Sequence, residues 1–193
     1  MSTSGGRAQR VDARTNRGRI LAVAEEVFGK GGRSASTEEV ARLAEVGIAT
    51  VFRHFPTKAV LVEAVLVRRF DRLRERAEAL LDTDDAGAAF FDFFSYLVAD
   101  AATKIAIGEA LEDLGGDSDG NAAAASLGLR RAFGALLRRA QQAGAVRDDA
   151  ELPEVYALLV ASSRAASQAH LDEEVRARML AIVFDGLAPH RTD

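Results

Sequence analysis

The sequence has no cysteine, no tryptophan and only 3 prolines in 193 residues. Without cysteine there is no disulfide framework and no thiolate metal site, so a reducing compartment suits the chain. With so few prolines, long stretches are free to continue as helix, and the good helix formers Ala, Leu, Glu and Arg abound. No run approaches the roughly 18 apolar residues of a membrane span. The first ten residues, MSTSGGRAQR, lack the apolar stretch of a secretory signal. A soluble, cytoplasmic protein with no membrane partner is therefore expected. Histidine is scarce too. His54, His170 and His190 have no nucleophile at a telling spacing, which argues against an enzyme. Glu25-Glu26 and Glu173-Glu174 are adjacent on predicted helices and face different ways, so neither a metal centre nor a cofactor is expected.

The charge that is present is unevenly placed. Residues 1–58 hold ten Lys or Arg against six Asp or Glu, a net of +4, and the remainder has a net of −8. A basic head on an acidic body suits one end that faces a polyanion. Arg7, Arg10, Arg14, Arg17 and Arg19 cluster near the start, over a segment (1–14) read as a flexible basic arm. Such an arm either reaches phosphates and the minor groove or is a solvated tail; the residues leave both open.

The spacing of Ile20, Ala24, Val27 and Phe28 predicts a helix from about Thr15 to Lys30, stopped by Gly31-Gly32. The most informative stretch follows, STEEVARLAEVGIATVFRHFPTK from Ser36 to Lys58. Ser36 with Glu39 three residues on fits a capping box. Val40, Leu43 and Ala44 then form the expected buried face of a short second helix. Glu45-Val46-Gly47 makes a turn with Val46 inward. A third helix from Ile48 to His54 turns Val51 to the core and Ala49, Thr50, Arg53 and His54 outward. Two short helices joined by a tight turn are the signature of a helix-turn-helix, whose second helix enters the DNA major groove.

This stretch resembles the DNA-binding domain of the tetracycline-repressor-like (TetR) family of bacterial transcription regulators, from about Arg17 to Val65, with FRHFPTK its most specific part. The resemblance implies an all-helical homodimer with a three-helix head and a body that receives a small molecule. By position it implies that Thr37 meets a phosphate, that Ile48, Ala49, Thr50 and Arg53 face base edges or sugars, and that Phe52, His54 and Lys58 touch backbone. Two residues depart from the family pattern. Glu45 stands where Gly is usual, and Phe52 where Tyr is common; both changes would weaken binding to DNA. Arg53 can form a bidentate bond to guanine or an ordinary phosphate contact.

The expected domains are the arm (1–14), a helix-turn-helix head (15–56) and a helical ligand-binding and dimerisation body (57–193). A long helix capped by Thr57 runs to about Leu81 with Leu66, Phe70, Leu73, Ala77 and Leu80 as its stripe. Further helices are expected over 86–102, 104–114, 121–143, 153–169 and 172–187, giving an all-α bundle. The string FFDFFSY (Phe90 to Tyr96) places five of twelve aromatics in seven residues. Phe90, Phe93, Phe94 and Leu97 share a face that is either a plain aromatic core or the wall of an apolar cavity. Phe70, Lys104, Phe133 and Leu137 complete the candidate ligand set, with Tyr96, Glu109 and Ser126 as further groups. Val155, Leu158, Leu159, Ser162 and Ala166 make one stripe, and Val175, Met179, Ile182 and Gly186 another. Together they are the candidate dimer interface, or alternatively an intrachain core. The function these features imply is a dimeric regulator of double-stranded DNA, a repressor that binds a near-palindromic operator and is released by a small, apolar effector. The alternative is a helical interaction module whose degenerate head does not bind DNA tightly.

Overall fold

The structure, a computed structural model, describes residues 4–115 and 120–189, with side chains from Arg14 onward. Among them are nine α-helices and no strand: α1 (Ser4–Gly31), α2 (Thr37–Leu43), α3 (Ile48–His54), α4 (Lys58–Leu80), α5 (Ala86–Ala99), α6 (Ala101–Asp113), α7 (Asn121–Gln142), α8 (Leu152–Gln168) and α9 (Glu173–Leu187). The all-α expectation and the body helices hold to within a few residues. The chain divides into two compact units. One comprises residues up to Arg68 with Thr103–Ala122, the other Arg69–Ala102 with the residues from Ala123 on. The division falls within α4, within α6 and near the start of α7.

In the N-terminal unit α1 begins at Ser4, well before the expected Thr15. No proline interrupts it, so Arg7, Arg10 and Arg14 stand on helical backbone rather than in an arm; the side chains of Arg7 and Arg10 lie outside the described residues. Ile20, Ala24 and Phe28 are fully buried, as their spacing predicts. The helix stops at Gly31, and Gly32 takes φ +49°, a left-handed conformation that glycine adopts without strain. Segment α6 packs against this end of the unit. A Cβ on Gly29 would stand 2.6 Å from the Thr103 methyl. Arg33 also pairs with Asp113 at 2.8 Å, a surface contact worth about 0–1 kcal/mol.

The C-terminal unit is built on its phenylalanines. Phe90, Phe93, Phe94 and Phe133 are essentially without exposure. Phe133 lies 5.5 Å from Phe90, 6.0 Å from Phe94 and 6.2 Å from Tyr156 between ring centroids, in the tilted and edge-on arrangements that aromatic rings favour. Phe70 and Leu137 are buried, Leu97 is half-buried, and Lys104 sits half-buried on α6 in the other unit. The aromatic string is therefore packed core. In α8, Val155, Leu159 and Ser162 are buried within the unit, where α5 and α8 pack together. They belong to an intrachain core rather than to a free face. Leu158, Val175 and Ile182 remain outward, Ile182 at 75% exposure, while Ala166 and Met179 are half-buried and Gly186 exposed. The stripe fails because 155, 159 and 162 share one side of the helix and 158 turns to the next.

Replacing Phe133 with Ala should cost about 3–5 kcal/mol, the range for emptying a packed aromatic site. Chemical denaturation checks this. A loss under about 1 kcal/mol would mean that the ring lines an already open cavity.

Candidate nucleic-acid interface

The interface is assembled from backbone geometry before any side chain faces outward. Ser36 caps α2, its hydroxyl accepting from the Glu39 N–H at 3.1 Å. Inward on α2 are Thr37, Val40, Ala41 and Ala44, a run at i, i+3, i+4 and i+7. Leu43 falls off that face and is 47% exposed, contrary to the sequence expectation; Ala41 takes the inward place. Thr37, expected at a phosphate, has its side chain buried.

At the end of α2 the Glu45 N–H donates to Arg42 O at 3.2 Å and the Val46 N–H to Ala41 O at 3.0 Å. These two bonds close a Schellman motif. The motif needs a left-handed residue at Glu45, whose φ is +53°. The same motif ends α7 at Gly144 (φ +69°) and α8 at His170 (φ +48°). Only Gly144 is free of the Cβ clash; Glu45 and His170 are strained by about 1–2 kcal/mol each. Gly47, by contrast, has an ordinary φ of −66° and caps α3 without needing to be glycine.

Helix α3 is seven residues long, and Val51 is its one buried residue. Phe55 follows directly and is buried as well, its N–H donating to Val51 O at 2.8 Å. Ile48, Ala49, Phe52 and Arg53 are exposed and Thr50 is half-buried. Ile48 and Phe52, one turn apart, give the exposed face an apolar ridge beside Arg53. A ridge of this kind can meet thymine methyls or sugars while Arg53 addresses base edges or phosphate.

Positive charge gathers at the end of α3. The Arg17 guanidinium lies 4.9 Å over the Phe55 ring, which fixes it next to Arg53 and His54. Its residue type hinted at a charge on an arm; the ring beneath it, absent from the local sequence, is what places it. His54 is half-buried, its Nε2 enclosed and without a hydrogen-bond partner among the described residues. Burial first, and then the charges of Arg53 and Arg17, hold its pKa below the ordinary 6.5. Lys58 is engaged within the head: its ammonium donates to Arg33 O at 3.4 Å and lies 5.6 Å over the Phe28 ring. Thr57 caps α4 as expected, accepting from the Val60 N–H at 3.2 Å.

Comparison with known proteins agrees with this geometry. Residues 20–65 match the family described as bacterial regulatory proteins, tetR family, and residues 85–189 match the transcriptional regulator SbtR-like C-terminal domain. The chain is 36% identical to a TetR transcription regulatory protein of known structure from Mycobacterium vanbaalenii, covering 93% of this chain and 99% of that one with a TM-score of 0.77. A TetR transcriptional regulator from Streptomyces coelicolor is 31% identical over 90% of this chain and 98% of its own, with a TM-score of 0.73. The HTH-type transcriptional activator FasR of Mycolicibacterium smegmatis is 35% identical over 99 residues, 47% of this chain. The chain spans less than half the length of the curated relatives it matches, 45% in the case of FasR.

Two outcomes are expected of the head. Glu45→Gly should stabilise it by about 0.5–1 kcal/mol, the relief of left-handed strain less the extra unfolded-state freedom of glycine, read as a raised melting temperature. For His54, folding favours the neutral ring, so its contribution is complete above pH 6.5 and lost as pH falls through the lower folded value. The melting temperature should therefore drop less between pH 7 and 5 in His54→Asn than in the parent.

Proposed function

The chain belongs to the TetR family of bacterial transcriptional regulators, and from that premise we propose that it is an effector-responsive repressor that binds a near-palindromic operator as a homodimer. The observation that carries this is α3 itself, a helix with one side chain inward and an apolar ridge with Arg53 outward. Arg53 puts a positive charge on that face, and Arg17, held on the Phe55 ring, adds a second near His54. Ala49, Thr50 and Ile48 would approach base edges, Phe52 and His54 the backbone, and Thr37 would offer its main-chain N–H at the start of α2 rather than its buried hydroxyl. Lys58 would reach phosphate only by leaving Arg33 and Phe28.

A dimer would place two such helices about 34 Å apart, one turn of DNA. Its support is the outward side of α8 and α9, where Leu158, Val175 and Ile182 are exposed beside small residues such as Ala157 and Ala161. Dimers that pair the same surface of each copy are the commonest closed assembly. Transmission of an effector signal has a material route in α4 and α6, each of which contributes residues to both compact units. FasR is an activator by name; the repressor sign for this chain rests on the simpler mechanism of operator release and is read from a reporter with and without the gene.

Fluorescence anisotropy with duplex DNA tests the head. Arg53→Ala should weaken binding about tenfold and lower the slope of log affinity against log salt by about one if the residue contacts phosphate. Arg131→Ala, an exposed change in the body, should leave both unchanged. An absence of salt-dependent binding by the parent protein, even at low salt, would leave only the interaction-module alternative.

A further inference from the structure

The C-terminal unit contains an open groove that the aromatic core does not fill. Helix α9 is held at its C-terminal end, where Phe184 lies 4.7 Å from Phe91 and 5.4 Å from Phe94 and where the Arg147 N–H donates to Leu187 O at 2.9 Å. Towards its N-terminus α9 stands away from α4 and α5. The space between has a volume of about 620 Å³, within the range of small-molecule sites. Leu180 and Phe184 supply an apolar floor, and the alanines Ala99, Ala177 and Ala181 leave the space unfilled.

Two guanidinium groups line this groove. Arg76 lies 3.8 Å over the Tyr96 ring, a stack that fixes its plane and occupies its face. Its N–H edge makes no hydrogen bond or ion pair among the described residues, and neither does the side chain of Arg176 across the groove on α9. An arginine whose plane is fixed and whose donors are unused is a ready partner for a carboxylate, which it can hold through two parallel bonds. The exposed carboxylates of Asp92 and Glu173 line the same groove and would repel a second negative charge. The occupant is thereby narrowed to one anionic group on an apolar body.

We propose that the groove between α5 and α9 binds an organic monocarboxylate, its apolar body on Leu180 and Phe184 and its carboxylate on Arg76 and Arg176. The proposal rests on the reading above that the body receives an effector, and it moves the site away from the buried phenylalanines. The groove residues of α9 lie on the side opposite Val175 and Ile182, so an occupant would press the helix towards the face that a second subunit would cover. Ligand binding and subunit geometry would then be coupled through a single helix.

Calorimetry on the full chain tests this with 2-naphthoate and decanoate as probes and 2-naphthamide as the uncharged control. At least one acid should bind saturably, the amide about tenfold more weakly or worse, and Arg76→Gln and Arg176→Gln should each weaken the acid about tenfold. Ala181→Leu, which fills the groove without touching charge, should abolish binding of acid and amide alike. No binding of either acid, equal binding of acid and amide, or binding indifferent to all three substitutions would overturn the proposal. DNA anisotropy in the same samples separates the two readings. An acid that binds through Arg76 and Arg176 without altering DNA affinity upholds the site and contradicts the effector reading. Release of DNA by an acid as readily from the Arg76→Gln, Arg176→Gln double variant as from the parent would uphold the effector reading and contradict the site.

Discussion

A seven-residue helix cannot nucleate or hold itself in water, because the first turn fixes several residues for a single hydrogen bond. Helix α3 exists because Val51 and Phe55 are buried behind it, each contributing about 1.5–3 kcal/mol of apolar transfer. The Schellman closure at Glu45 sets the angle at which α3 leaves α2. Everything outward on α3 depends on that anchoring: with two side chains carrying the packing, Ile48, Ala49, Phe52 and Arg53 are left for a ligand. A longer or more buried helix would have had fewer residues to spare.

Strain and charge are spent at the same place. Glu45 adopts a conformation that Gly144 takes freely elsewhere in the chain, and it sets a carboxylate in the turn of the motif. Opposing it, Arg17 is fixed on Phe55, and burial together with the charges of Arg53 and Arg17 holds the His54 pKa below its ordinary value. Because the His54 pKa is lowered in the free protein, a nearby phosphate would raise it and favour uptake of a proton in the complex. The head is thus weakened by one local feature and strengthened by another, and both act within the same few residues.

Much of this was legible in the sequence, and the reasons are local. A cap such as Ser36 with Glu39, a turn such as Glu45 to Gly47, and a single inward residue such as Val51 are short-range features, decided by neighbours a few positions away. The misses come from the crowding of one short helix and from contacts between distant parts of the chain. Leu43 satisfies helical spacing yet faces outward, because Thr37, Val40, Ala41 and Ala44 already fill the inward side of so short a helix. Val155, Leu159 and Ser162 fit a dimer interface or an intrachain core equally well by spacing, and their burial follows from packing between α8 and α5, which the local sequence does not carry. Of the groove, the sequence singled out Tyr96 alone: Arg76, Tyr96 and Arg176 lie on three different helices, a hundred residues apart from first to last. The aromatic string drew attention to itself and proved to be core, while the open space lay one helical face away.

As proposed above, the outward face of α3 reads duplex DNA in a two-fold arrangement. Selection of bound sequences from a pool of random duplexes by the purified full chain tests it most directly. Two inverted half-sites whose centres lie about one helical turn apart should be enriched, with Arg53→Ala relaxing preference at the same position in both halves. Recovery of sequences no different from the starting pool, or of a single half-site without its inverted mate, would contradict it.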